Sequence, residues 1–212
     1  MTKKAVIFDF DGTLVQTLPQ VLSILNKIGR TYSQSFIKIT VKDIEKYREK
    51  SAAELFNDFK IPRLKLLLMV RKIKKELAKN MAKIKPVDGI YNLLLQLKKS
   101  GCTIGIVSSN SRENVLGFLL KNKIDVFDFV ATESNLFGKE RALARVIRKY
   151  KLDKKSTVYV GDEIRDITAC RKVGLPIISV SWGFNNKKGL LKNSPDFLAE
   201  RVGEIEKILE KT

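Results

Sequence analysis

The chain has 212 residues, 44% of them hydrophobic and 30% charged, a composition that excludes a disordered tail, a collagen-like repeat and a cysteine-rich secreted scaffold. Histidine is absent, which excludes Ser-His-Asp and Cys-His nucleophile pairs and His-ligated zinc and leaves catalysis to carboxylates, lysines, hydroxyls or a bound hard metal. The formal net charge of +18 is unevenly spread, because residues 16–85 hold seventeen Lys and Arg against six Asp and Glu.

The first expected element is a strand over residues 4–8, a near-continuous apolar run of the kind buried on both faces of a parallel sheet. Residues 16–85 follow without an obvious strand. Val21, Leu22 and Leu25 suggest one helix, Ser51 with Glu54 three residues on makes a capping box that opens another, and residues 64–81 form a long, basic third. From Pro86 the pattern changes. A helix carries Ile90, Leu93, Leu94 and Leu97 and stops at Gly101, after the basic turn of Lys98 and Lys99.

Strands are expected at residues 102–108, 157–160 and 176–180, with weaker candidates at 127–131 and around Phe197. Helices are expected at residues 111–121, 141–150, 163–172 and 202–209. Strands alternating with helices of this length predict an α/β fold, a doubly wound parallel sheet. Its core is residues 1–15 and 86–212, with an all-helical insertion at 16–85. Such sheets bind ligands beyond the carboxyl ends of their strands. The apolar run near residues 64–70 falls well short of the roughly 18 residues that a membrane helix needs. Cys102 and Cys170 are too few for a disulfide framework, and the amino terminus carries no secretory signal, so a reduced, soluble, cytoplasmic protein is expected.

Carboxylates collect where two of these strands stop. Asp9 and Asp11, separated by Phe10 and followed by Gly12 and Thr13, stand two apart in extended chain and are expected to face one pocket. Like charges that close repel unless a cation joins them or one is protonated. Asp162, Glu163 and Asp166 follow the strand at 157–160, at the mouth of a helix whose dipole favours acids. Hard oxygens converging without His or Cys suit Mg²⁺. Ser108, Ser109 and Asn110 close another strand and open a helix, a ready anion site that is also an ordinary helix cap. Lys139 stands at a helix start, where the dipole disfavours a cation.

In order and spacing these four segments resemble the haloacid dehalogenase superfamily, and within it the phosphoglycolate-phosphatase-like branch with a helical cap, over nearly the whole chain. The resemblance implies that Asp9 is a nucleophile forming an aspartyl-phosphate and that Asp11 is the acid and base. It implies Mg²⁺ held by Asp9, the main-chain carbonyl of Asp11, and Asp162. It implies phosphoryl oxygens gripped by Ser108 and Lys139, with Ser109 and Asn110 beside them. Thr13, Glu163 and Asp166 are supporting, Asp166 orienting Lys139 or the metal waters. Gln16 departs from the family, many members having Asp there.

The implied activity is Mg²⁺-dependent hydrolysis of a small anionic phosphomonoester, phosphoglycolate-like or a sugar phosphate, by a monomer or dimer. Arg48 in the insertion is a candidate selector of the substrate's remote anionic group, and the aromatic pair Trp182 and Phe184 a candidate wall of the site. Two alternatives stand beside this reading. One is a sugar phosphomutase of the same fold. The other is a non-catalytic protein whose basic helices bind nucleic acid or an acidic partner, disfavoured because no aromatic residues interleave the basic ones to stack bases.

Overall fold

The computed structural model describes residues 4–40, 42–132 and 138–211. Every residue of β1 (Ala5–Phe8) is buried because the strand lies mid-sheet, paired in parallel with β2 (Thr103–Ser108) on one side and β4 (Thr157–Gly161) on the other. With β3 (Phe129–Thr132), β5 (Ile177–Val180) and β6 (Phe197–Ala199) the order is β3-β2-β1-β4-β5-β6, all parallel. That order reverses its direction of growth between β1 and β4, so the carboxyl ends of those two strands open on a crevice where ligands bind in doubly wound sheets.

Alternate strand residues face opposite layers. Val6, Phe8, Ile104, Ile106, Val158 and Val160 pack under α5 (Ile90–Lys99), α6 (Arg112–Lys121) and α10 (Val202–Leu209). Ile7, Val107 and Tyr159 pack under α7 (Lys139–Lys149), α8 (Ile164–Val173) and α9 (Lys187–Leu191). Burial on both faces is why these strands read as unbroken apolar runs. Each fully buried side chain of this size contributes about 1.5–3 kcal/mol.

Between β1 and α5 lie α1 (Leu18–Tyr32), α2 (Ile44–Arg48), α3 (Ala52–Asp58) and α4 (Arg63–Asn80). They enclose a small core of their own, in which Phe36, Ile39, Phe59, Ile61, Leu66 and Met69 are buried. The chain leaves the sheet and returns at one place: the Gln16 N–H donates to the Lys85 carbonyl at 3.0 Å and the Val87 N–H to the Leu14 carbonyl at 2.9 Å. Ser51 caps α3 as its sequence implies, with its side chain accepting from the Glu54 N–H and Glu54 accepting from the Ser51 N–H. Two short helices, α2 and α9, were not legible as periodic patterns. Among the described residues no helix is long and apolar enough to cross a membrane.

Candidate active site

The crevice at the ends of β1 and β4 is lined with acids. Asp9 directly follows β1, Asp162 directly follows β4, and Asp166 lies in the first turn of α8. All three are buried, and one carboxylate oxygen from each falls within 4.8 Å of the others. α8 begins with a capping box in which the Glu163 side chain accepts from the Asp166 N–H and Asp166 accepts from the Glu163 N–H, so the acidic first turn is rigid. The Thr13 hydroxyl and the Phe184 N–H each donate to Asp162 at 2.7 Å, and the Phe10 N–H donates to Asp9 at 2.7 Å.

Two glycines let the chain approach these oxygens. Gly12 holds φ at +78°, and a Cβ there would stand 2.2 Å from an Asp162 oxygen; a Cβ on Gly183 would stand 2.1 Å from the same atom.

Lys139 supplies the only cation that the described ion pairs place inside the cluster. Its Nζ donates to Asp9 and Asp166 at 2.5 Å each, and lies 5.3 Å from the centre of the Tyr159 ring. Burial pushes its pKa down, but the Asp166 and Asp9 carboxylates outweigh that and hold it above the ordinary lysine value. They also answer the helix-start oddity: α7 begins at Lys139, two residues earlier than expected, because the carboxylates offset the dipole's penalty on a cation there.

One ammonium does not balance three acids. Burial raises the Asp9 pKa to about 7, partly offset by Lys139. Burial and the neighbouring carboxylates of Glu163, Asp9 and Asp166 push the Asp162 carboxyl well above its usual range. A buried, oxygen-only cluster short of positive charge fits a hard divalent cation.

Asp11 turns elsewhere. Its Oδ2 accepts from the Asn110 side-chain amide at 2.9 Å, its Oδ1 is buried without a hydrogen-bond partner, and burial raises its pKa to about 6 against the opposing Asn110 bond. Its carboxylate is not in the three-acid cluster. Asn110 is thereby fixed on Asp11 and on the start of α6, where its Oδ1 accepts from the Ser111 N–H. The buried Ser108 hydroxyl accepts from the Asn110 N–H at 2.9 Å, and Ser109 accepts from Arg165 at 3.3 Å. Glu163 pairs with Arg165.

Arg48 is turned toward the sheet domain. Its guanidinium donates to the carbonyls of Ser181 and Gly183 at 2.8 and 2.9 Å and pairs with Glu45. Asn185 answers from the other side, its amide donating to the Arg48 and Lys50 carbonyls. Trp182 donates its indole N–H to the Thr13 carbonyl at 3.2 Å.

Sequence reasoning missed Asn185, Lys74 and the role of Arg165. Lys74, on α4, reaches the Ser109 carbonyl at 2.6 Å, and burial together with Arg165 lowers its pKa. Arg165 stood inside a motif already singled out, whereas nothing local marks Lys74 among the lysines of α4.

A family profile described as haloacid dehalogenase-like hydrolase matches residues 6–180. A phosphoglycolate phosphatase of Synechococcus elongatus is 31% identical over 203 residues, covering 95% of this chain and 95% of the relative. The pyrophosphatase PpaX of Bacillus mycoides is 24% identical over 217 residues, covering 100% and 99%. The crystal structure of a predicted phosphatase from Clostridium acetobutylicum shares the fold with a TM-score of 0.82 at 20% identity, covering 99% of this chain and 100% of that one.

Proposed function

The chain belongs to the haloacid dehalogenase-like hydrolases, and from that premise we propose that it is a Mg²⁺-dependent phosphatase acting on a small phosphomonoester through an aspartyl-phosphate. The observation that carries this reading is the meeting of Asp9, Asp162, Asp166 and Lys139 at the ends of two adjacent strands. The convergence supports Asp9 and Asp162 as metal ligands with Asp166 beside them, and the side chain of Asp11 outside that set. When bound, the metal neutralises phosphoryl oxygens and lets the Asp9 carboxylate approach an anion.

Phosphoryl transfer needs positioning and charge neutralisation more than covalent ingenuity. Asp9 attacks phosphorus and expels the alcohol oxygen, to which Asp11 gives a proton. Asp11 then takes a proton from the water that hydrolyses the aspartyl-phosphate. Asn110 holds Asp11 in place for both steps. The Ser108 hydroxyl and the Lys139 ammonium grip phosphoryl oxygens, and Asp166 orients Lys139.

We further read residues 16–85 as a cap domain over a core of residues 1–15 and 86–212. Its own apolar cluster and the paired chain crossings at Gln16 and Lys85 support that division, while Ile24, Leu77 and Met81 pack it onto the sheet's core. Arg48 is then a tether between cap and core, because its donors already lie on the Ser181 and Gly183 carbonyls.

Phosphate release from a panel including phosphoglycolate, a sugar phosphate and pyrophosphate tests the reading, run with Mg²⁺, with chelator, and with Asp9→Asn. Release that disappears in both controls is expected; release that survives Asp9→Asn overturns the covalent mechanism.

A further inference from the structure

An apolar cavity of about 220 Å³ opens from the Asp11 side of the active site into the helical insertion. Its walls are Leu22 and Leu25 of α1, Leu55 and Phe56 of α3, and Val70 and Ile73 of α4. All six are only partly buried, so each leaves apolar surface unfilled within a segment that has a packed core of its own. Protein interiors hold few voids larger than a water molecule, and empty apolar ones are costly to keep.

The charged residues of the lining are Asp11, Lys74, Glu163 and Arg165 on the side of the reaction centre, with Arg48 and Lys50 at the end of α2. Each of these four cations already meets a protein acceptor, Lys74 the Ser109 carbonyl, Arg165 Glu163 and Ser109, Arg48 two backbone carbonyls, and Lys50 the Asp58 carboxylate. A carboxylate such as that of phosphoglycolate finds partners only on that side, and in the space walled by leucine and valine it would lie desolvated without one.

We propose that this cavity receives the leaving group, and that the substrate is the phosphomonoester of an alcohol with an apolar or aromatic body. The proposal rests on the phosphatase reading above and names the substrate class of the same site. An apolar cavity of about 150 Å³ accommodates benzene. The present one therefore takes a six-membered ring with a few further heavy atoms, or an alkyl chain of similar volume, while the phosphate stays with Asp9 and Lys139 outside it. Because the walls touch the leaving group in ground state and transition state alike, its burial lowers KM more than it raises kcat.

The test is steady-state phosphate release from n-alkyl phosphates, ethyl through hexyl, whose leaving groups differ little in intrinsic reactivity, with phosphoglycolate and pyrophosphate alongside. KM is expected to fall about fourfold per added methylene, and kcat/KM for hexyl phosphate to exceed that for phosphoglycolate. Val70→Phe, or Leu55→Phe if the first does not fold, narrows the cavity and is expected to flatten the chain-length dependence. A KM that is flat or rising along the series, with the esters still hydrolysed, overturns the proposal and leaves the phosphatase reading standing. Retention of the full dependence in the narrowed variant also overturns it. No release from any compound, phosphoglycolate and pyrophosphate included, brings down the phosphatase reading and this proposal with it.

Discussion

Replacing Lys139 by Met removes the ammonium from between Asp9 and Asp166 while keeping most of its volume. The lysine side chain is 6% exposed, and those of its two partners 3% and 0%, so neither carboxylate is rescued by water. Without the ammonium the largest influence opposing the burial of Asp9 is gone, and its carboxyl, raised to about 7 in the intact protein, is pushed higher still. Holding Asp9 protonated in the variant where the intact protein ionises it costs about 1.36 kcal/mol for each pH unit above that value, hence almost nothing at pH 5.0 and about 2 kcal/mol at pH 8.5.

Loss of the pair itself adds a penalty that changes little with pH over this range, so the expected total at pH 8.5 is about 3–5 kcal/mol, the range for breaking a buried pair from one side. The sign follows from linkage. A carboxyl whose folded pKa is raised keeps its full contribution below the unfolded value and loses it as pH rises through the folded one, so the variant, with Asp9 raised further, falls behind above about pH 7 and its deficit widens from pH 5.0 to 8.5. Urea unfolding in chelator at both pH values measures it. Adding Asp9→Asn should recover at least about 1 kcal/mol at pH 8.5 and little at pH 5.0. A deficit below about 1 kcal/mol at pH 8.5, or one that does not change with pH, refutes the reasoning.

Gly183→Ala places a Cβ 2.1 Å from an Asp162 oxygen, so the carboxylate must shift. The Mg²⁺ concentration giving half-maximal activity is expected to rise at least about tenfold, in line with the cost of disturbing groups that orient a ligand, and an unchanged metal titration contradicts that role for Asp162. Cys102 and Cys170 are 7% and 0% exposed, and burial raises the Cys170 thiol far above its ordinary pKa. Iodoacetamide should label neither cysteine in the native protein at pH 8 and both in guanidinium, as read by mass spectrometry.

What the sequence disclosed follows from which forces act locally. The central strands were legible because Val6, Ile104 and Val158 sit in segments buried on both faces, which forces an apolar run. Asp9 and Asp162 were legible because each ends such a run, where an acid has no packing reason to be. The five-residue helices α2 and α9 span little more than one turn and leave no period to read. Arg165 and Lys74 act through tertiary approach alone: the first folds back on Glu163 and Ser109, and the second crosses from α4 to the Ser109 carbonyl. The aim of Arg48 was undecidable for the same reason, since a guanidinium at the end of a short helix could reach substrate or backbone, and the loop at Ser181 and Gly183 decides it.

The basic excess of residues 16–85 suggested an anionic substrate gripped by the insertion, and the folded chain divides that idea in two. Lys65, Arg71, Lys72, Lys75 and Lys79 of α4 lie on its exposed face, while Val70 and Ile73 of the same helix wall the cavity. Exposed charges act across a Debye length of about 8–10 Å at physiological salt, far enough to draw a phosphate dianion toward the crevice but too diffusely to distinguish one ester from another. Discrimination needs desolvated contact, which the cavity's apolar walls beyond the charged groups near Asp11 offer. On the substrate class proposed above, net charge and selectivity belong to opposite faces of one helix, and a charge count reports only the outward one.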